Sequence, residues 1–161
     1  EIIYSIMRQE SAFNPDARSH MDAFGLMQLI PQVAKASARA NAINYKKPED
    51  LYKPHINIPL GSAHLRKLWD HYNGQLVLTV ASYNASQKAI AGWLKTRFRG
   101  DSLEFIEDIP YEETRNYVKL VLRNMITYQA ISSSKNGVEF PEWALRINTA
   151  NSQSERLPSS F

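Results

Sequence analysis

Cysteine is absent from this 161-residue chain, which excludes a disulfide framework, a CxxC redox pair, a thiolate zinc site and a cysteine nucleophile. The absence leaves the compartment open, because a cysteine-free chain folds in reducing and oxidising surroundings alike. An excess of one charge is nearly lacking too: 19 Lys and Arg against 16 Asp and Glu leave a net +3, with no basic run. That charge permits a polyanionic partner without demanding one, and no basic stripe or aromatic-basic module supports nucleic-acid binding. No stretch approaches the ~18 consecutive apolar residues of a membrane span, and the first residues lack the order of a signal peptide. His20, His55, His64 and His71 form no HExxH pattern, and there is no GxSxG elbow, P-loop or GxGxxG. No metal site and no cofactor is expected.

What is present is one domain's worth of apolar sequence, 43% hydrophobic and 22% charged. A chain of this size buries roughly 70% of its unfolded surface, enough for a core without staples. Helical periodicity dominates and strand alternation is missing, so a mainly α fold with little or no sheet is expected. Ile2, Ile3, Ile6, Met7 and Glu10 share one helical face, ended by Phe13-Asn14-Pro15. Pro31 opens a helix to about Ala40. Residues 46–54 read as a connector with at most one helical turn. Asn57 is read as the N-cap of a helix that stops at Asn73-Gly74. Further helices are expected over 76–83, 88–97, 102–106 (capped by Ser102) and from Pro110 to the Ser132-Ser133-Ser134 run, with a short packing element over 141–147. Residues 1–150 are thus read as one domain and 151–161 as a polar, loosely ordered tail. Opening at Glu1 without an initiator methionine, the chain reads as a piece of a longer or processed precursor.

Several polar residues sit where they could carry chemistry, each with a plainer structural reading beside it. Glu10 continues an apolar stripe near a helix C-terminus, and the macrodipole and lost solvation both raise the pKa of such a carboxyl. A carboxyl that keeps its proton near neutral pH suits general-acid catalysis; the plainer reading pairs it with Arg8 or Arg18. Gly25-Leu26-Met27-Gln28 places one amide on a glycine-led apolar turn, although a glutamine is ordinarily just solvated. Tyr83 and Asn84 end an otherwise hydrophobic helix, where they could present a phenol and an amide, fill a gap or cap the helix. Glu113, at the start of the longest helix, is explained on local grounds by the dipole.

Taken in order, Arg8-Gln9-Glu10-Ser11-Ala12-Phe13-Asn14-Pro15, Ser19, Gly25-Leu26-Met27-Gln28-Leu29-Ile30-Pro31, Asn57-Ile58 with Gly61, Ala81-Ser82-Tyr83-Asn84-Ala85, and Ile109-Pro110-Tyr111 with Glu113-Thr114-Arg115 and Tyr117-Val118 resemble the catalytic domain of the soluble lytic transglycosylases. The likeness runs from the first residues to about Val121. It implies a lysozyme-like helical domain that cleaves the MurNAc-β-1,4-GlcNAc linkage of peptidoglycan. Glu10, in the Glu-Ser pair, then matches the single catalytic acid and base, which protonates the glycosidic oxygen and later takes the proton of the MurNAc 6-hydroxyl as a 1,6-anhydro ring closes. The family's substrate supplies its own N-acetyl group in place of an enzyme nucleophile, a variation on the two-carboxylate scheme. By the same resemblance Ser19 matches a serine near the sugar N-acetyl group. Met27, Gln28, Asn84 and Glu113 match glycan-groove positions, and Tyr83 matches the tyrosine that contacts the catalytic carboxyl. Ser11, Gly25 and Ile30 support them.

Departures from the family pattern are His20 and Asp22 in place of small residues, Ile30 in place of methionine, and Ser86-Gln87-Lys88 in place of Gly-Pro-Gly. They are expected to alter groove shape more than chemistry. A goose-type hydrolytic lysozyme is the nearest alternative and would need a second carboxylate, for which Asp22 is the first candidate and Asp16 the weaker; a catalytically silent peptidoglycan-binding module is another. The expected partner is the peptidoglycan glycan strand and not nucleic acid, the expected state a monomer, and the expected location periplasmic or otherwise exported, with a tether in missing upstream sequence.

Overall fold

The computed structural model describes residues 1–132 and 141–149, so the tail expected over 151–161 lies outside the described residues. Eight α-helices are described: α1 Ile2–Ser11, α2 Pro31–Asn41, α3 Pro54–His71, α4 Leu76–Asn84, α5 Gln87–Arg97, α6 Ser102–Glu107, α7 Glu112–Ser132 and α8 Glu142–Leu145, with a 3₁₀ turn at Pro48–Tyr52. Among the described residues there is no β-strand, only isolated bridges between Arg18 and Phe24 and between Phe24 and Leu29. No helix among them is long and apolar enough to cross a membrane. Among the described residues the chain divides into two compact units, 1–67 with 120–132, and 68–119 with 141–149.

In the first unit α1 buries Ile6 and Met7, as its apolar spacing requires. It ends because Ala12 and Phe13 both turn left-handed, at φ 50° and 65°, while their amides return to the carbonyls of Arg8 and Met7. Left-handed backbone costs a non-glycine residue roughly 1–2 kcal/mol. Phe13 is held there by an aromatic cluster, its ring centroid 6.4 Å from both Tyr4 and Tyr128, which are themselves 6.1 Å apart. Pro31 sits in the first turn of α2, where its missing N–H is no loss.

One boundary is corrected. Asn57 does not cap a helix; α3 already begins at Pro54, and the Lys53 carbonyl accepts the Ile56 and Asn57 amides. Pro54, with its preset φ and no N–H to satisfy, opens the helix earlier than the asparagine. Asn57 is 1% exposed, and its amide is spent on the loop that precedes α2.

The second unit is built on α4, whose residues Leu76 to Ser82 are all buried. Tyr72 and Ser82 share a hydroxyl–hydroxyl bond of 2.8 Å. Gln75 Oε1 accepts the Asn148 amide at 2.7 Å, while Trp143 of α8 meets Trp69 edge to face at 6.2 Å. Ser86 caps α5 by accepting the Ala89 amide, so at that departure the side-chain oxygen starts the next helix. Asp101, not Ser102, caps α6 through the Glu104 amide at 2.8 Å; its carboxylate also complements the helix dipole, which a serine cannot.

Candidate functional site

In the first unit Glu10 occupies the last turn of α1, half-buried. The hydroxyl of the next residue, Ser11, donates to the Leu26 carbonyl at 2.9 Å as well as to Met7 at 3.2 Å. The turn of α1 that carries the glutamate is thereby fastened to the Gly25–Gln28 loop. Arg18, one of the cations weighed as a partner for Glu10, instead bonds Asp22 Oδ1 through Nη2 at 2.6 Å and Nε at 3.0 Å, and its guanidinium lies 5.1 Å from the Phe24 ring centroid.

That loop is a tight reversal in which Phe24 and Leu29 exchange both backbone hydrogen bonds at 3.1 Å. Gly25, at φ 72°, has no room for a side chain: a Cβ there would strike the Leu51 carbonyl and lie 2.5 Å from Asn57 Nδ2. Gln28, at φ 45°, spends both amide hydrogens on backbone carbonyls, donating to Gly25 O within the loop at 2.8 Å and to Ala17 O outside it at 3.1 Å. With both donors spent on carbonyls, the side chain offers a ligand only its Oε1 acceptor. Ser19 Oγ accepts the Met21 and Ala23 amides at 3.2 and 3.0 Å, which leaves its hydroxyl proton available for donation.

Met27 corrects an expectation. Its side chain is 0% exposed and is packed so closely on α3 that a Cβ at Gly61 would lie 2.9 Å from both its Cβ and Cε. A wholly enclosed side chain cannot touch a glycan in a groove; Met27 anchors the turn from beneath. Ile30, 38% exposed, is the N-cap residue of α2.

The anchor that sequence reasoning misassigned is Asn57. Its Oδ1 accepts the Met27 amide at 2.9 Å, and its Nδ2 donates to Phe24 O at 2.9 Å and Leu51 O at 2.8 Å. The signal that could have found it is its register: Asn57 lies on the buried stripe of α3 with Leu60, Gly61 and Leu65, as Glu10 lies on the stripe of α1. A polar side chain on a buried stripe needs partners, and here they come from the loop.

In the second unit Tyr83 and Asn84 are half-buried at the end of α4. Asn84 is the last helical residue and Ala85 the cap, so the capping reading of Asn84 does not hold. Asn84 Oδ1 accepts the buried Thr114 hydroxyl at 2.6 Å, and its Nδ2 donates to Glu113 Oε1 at 3.2 Å. Glu113 itself is exposed in the first turn of α7. Asn84 and Glu113, chosen separately from the sequence, are thus joined, with Thr114 as the link that was not singled out. The Arg115 guanidinium braces the approach to α7 by donating to the Ile109 carbonyl at 2.9 Å.

The Transglycosylase SLT domain family model matches residues 1–106 and the Soluble lytic transglycosylase helical domain model residues 108–136. The soluble lytic murein transglycosylase of Salmonella typhimurium is 34% identical over 88% of this chain, which spans 22% of that protein. The crystal structure of the 70 kDa soluble lytic transglycosylase of Escherichia coli superposes with a TM-score of 0.80 at 33% identity, covering 92% of this chain and 23% of that one. An inactive glutamate-to-glutamine mutant of the lytic transglycosylase Slt from Pseudomonas aeruginosa gives 0.78 at 39% identity, with 86% and 23% covered. The chain therefore spans between a fifth and a quarter of these relatives' length, and over that span it belongs to the soluble lytic transglycosylase (SLT) domain family.

Proposed function

We propose that this chain is a peptidoglycan lytic transglycosylase, cutting the MurNAc-β-1,4-GlcNAc bond with closure of a 1,6-anhydro ring. The observation that carries the reading is Glu10 in the last turn of α1, with the adjacent Ser11 tied to the Gly25–Gln28 loop in a chain of this family. A helix C-terminus disfavours the ionised carboxylate, which suits Glu10 to begin the cycle as an acid. It gives its proton to the glycosidic oxygen as the C1–O bond breaks, and the substrate's N-acetyl oxygen takes up C1. The MurNAc 6-hydroxyl oxygen then displaces that acyl oxygen from C1, and its proton returns to the Glu10 carboxylate. Acid is regenerated and no water is consumed.

The other residues are assigned one by one. The free proton of Ser19 suits the acetamido carbonyl, the Oε1 of Gln28 accepts a sugar hydroxyl or amide, and Asn84 with Glu113 holds a sugar by its polar edge. Tyr83, at the end of α4, is carried over from the family pattern as a candidate glycan contact. The inactivity of the Pseudomonas aeruginosa glutamate-to-glutamine mutant supports an essential glutamate. Action on the cell wall puts the protein in an exported location.

The test is digestion of purified murein by the wild type and by Glu10→Gln. The wild type should release anhydro-MurNAc ends and the variant, equally folded by circular dichroism, none; cleavage by the variant would remove Glu10 from its role.

A further inference from the structure

We infer that Tyr111, held edge-on by Trp93, is a stacking platform for a sugar ring of the glycan. The inference rests on the proposed glycan substrate and adds a binding residue to it. Tyr111 is 60% exposed, so it is not a core side chain. Its ring is nevertheless fixed, meeting the buried Trp93 edge to face with centroids 4.9 Å apart and planes at 77°. The backbone beneath is fixed as well. The Tyr111 carbonyl accepts the Arg115 amide at 2.9 Å, opening α7, and the Arg115 guanidinium grips the carbonyl of Ile109 two residues earlier.

A tyrosine retained mostly in water on a rigid mount loses little side-chain entropy when a ligand covers it, and that lowers the cost of binding. Two residues along the chain lies Glu113, joined to Asn84 and through it to Thr114. A pyranose presents an apolar C–H face that suits an aromatic ring, and hydroxyl and acetamido groups that suit a carboxylate and an amide. Asn84 Oδ1 accepts from Thr114 and keeps one lone pair, so the free capacity of the pair is that lone pair, the second amide hydrogen and the remaining Glu113 lone pairs. That set donates once and accepts several times, as a hydroxyl-rich edge requires. Buried Trp93 serves as the mount, and the ring on offer is that of Tyr111.

The experiment measures binding without cleavage. The full chain carrying Glu10→Gln is titrated with a β-1,4-linked GlcNAc oligomer in a calorimeter, alone and combined with Tyr111→Phe, Tyr111→Leu or Tyr111→Ala. An aromatic stack predicts affinity within about twofold of the parent for Tyr111→Phe and a loss of about tenfold for Tyr111→Ala. Tyr111→Leu should lose nearly as much, and it carries the test if the alanine variant fails to fold. Equal affinity for parent, Leu and Ala overturns the stacking role and leaves the lytic reading intact. Failure of the parent to bind any oligomer, with wild-type chain that does not cut murein, overturns both. Loss in the Phe variant as large as in Ala assigns the binding to the hydroxyl and also overturns the platform.

Discussion

Replacing Asn57 by Ala removes three buried hydrogen bonds while deleting only a few atoms, so its cost measures what the amide does. The Phe24 carbonyl keeps a partner, because it also accepts the Leu29 amide at 3.1 Å. The Met27 N–H and the Leu51 carbonyl lose the bonds of 2.9 and 2.8 Å that Asn57 supplies. Leaving a buried polar group unsatisfied costs about 1–3 kcal/mol, so Asn57→Ala should lower stability by about 3–4 kcal/mol, a large share of the ~5–15 kcal/mol typical of a domain. Gly25→Ala should also destabilise, by roughly 2 kcal/mol or more, since it adds left-handed strain at φ 72° to a clash with Asn57 and Leu51. Part of that clash is with the Asn57 side chain, so the double variant should be less unstable than the sum by about 1 kcal/mol. Urea unfolding followed by circular dichroism gives all four stabilities, and hydrogen exchange at the Met27 amide reports the local loss. A cost below ~1 kcal/mol for Asn57→Ala, or strict additivity, would refute the view that this amide and glycine form one latch.

Two further outcomes follow. The Lys53 ammonium, with backbone amides of Lys46 and Lys47, holds Asp50 down from 3.8 to about 2, whereas burial, aided by Lys67, holds His64 down from 6.5 to about 4. Both groups bind protons more readily unfolded, so stability should fall with acid, through His64 between about 6.5 and 4 and through Asp50 between about 3.8 and 2. In acid titrations Asp50→Asn should therefore be less stable than wild type at neutral pH and converge on it below about 2; a constant gap at every pH would contradict this. Asp22→Asn, which removes a carboxylate already engaged by Arg18, should keep murein cleavage within a few-fold of wild type, whereas a loss of the ~100-fold associated with a general base would restore the hydrolytic alternative.

Much of the helical scaffold was legible because its signals are local. The stripe of α1, Pro31 at the head of α2 and the Asn73-Gly74 stop each act within a few residues, and Asn73 and Gly74 indeed turn left-handed at φ 51° and 79°. Gly25 was legible as the glycine of an apolar turn, and the close approach it permits is to Leu51 and Asn57 of the protein itself. What sequence hid were choices settled at long range. Asn57 could cap its own helix or latch a loop thirty positions earlier, and Pro54 decided it by starting the helix first. Met27 looked like a groove residue until Gly61 gave its side chain a place to be buried. The cap of α6 is a local matter in which Asp101 and Ser102 both fit, and the Asp101 carboxylate takes the Glu104 amide. The tie between Asn84 and Glu113, like the mount of Tyr111 on Trp93, joins segments far apart in sequence, and periodicity does not carry such information.

The central claim is that the bond is broken without water, by one glutamate and the substrate's own hydroxyl. Digestion of purified murein in water enriched in heavy oxygen, with the products weighed by mass spectrometry, addresses it directly. The claim predicts unlabelled muropeptides ending in anhydro-MurNAc, each lighter by one water than the reducing form; heavy oxygen incorporated at C1 of a reducing MurNAc end would contradict it.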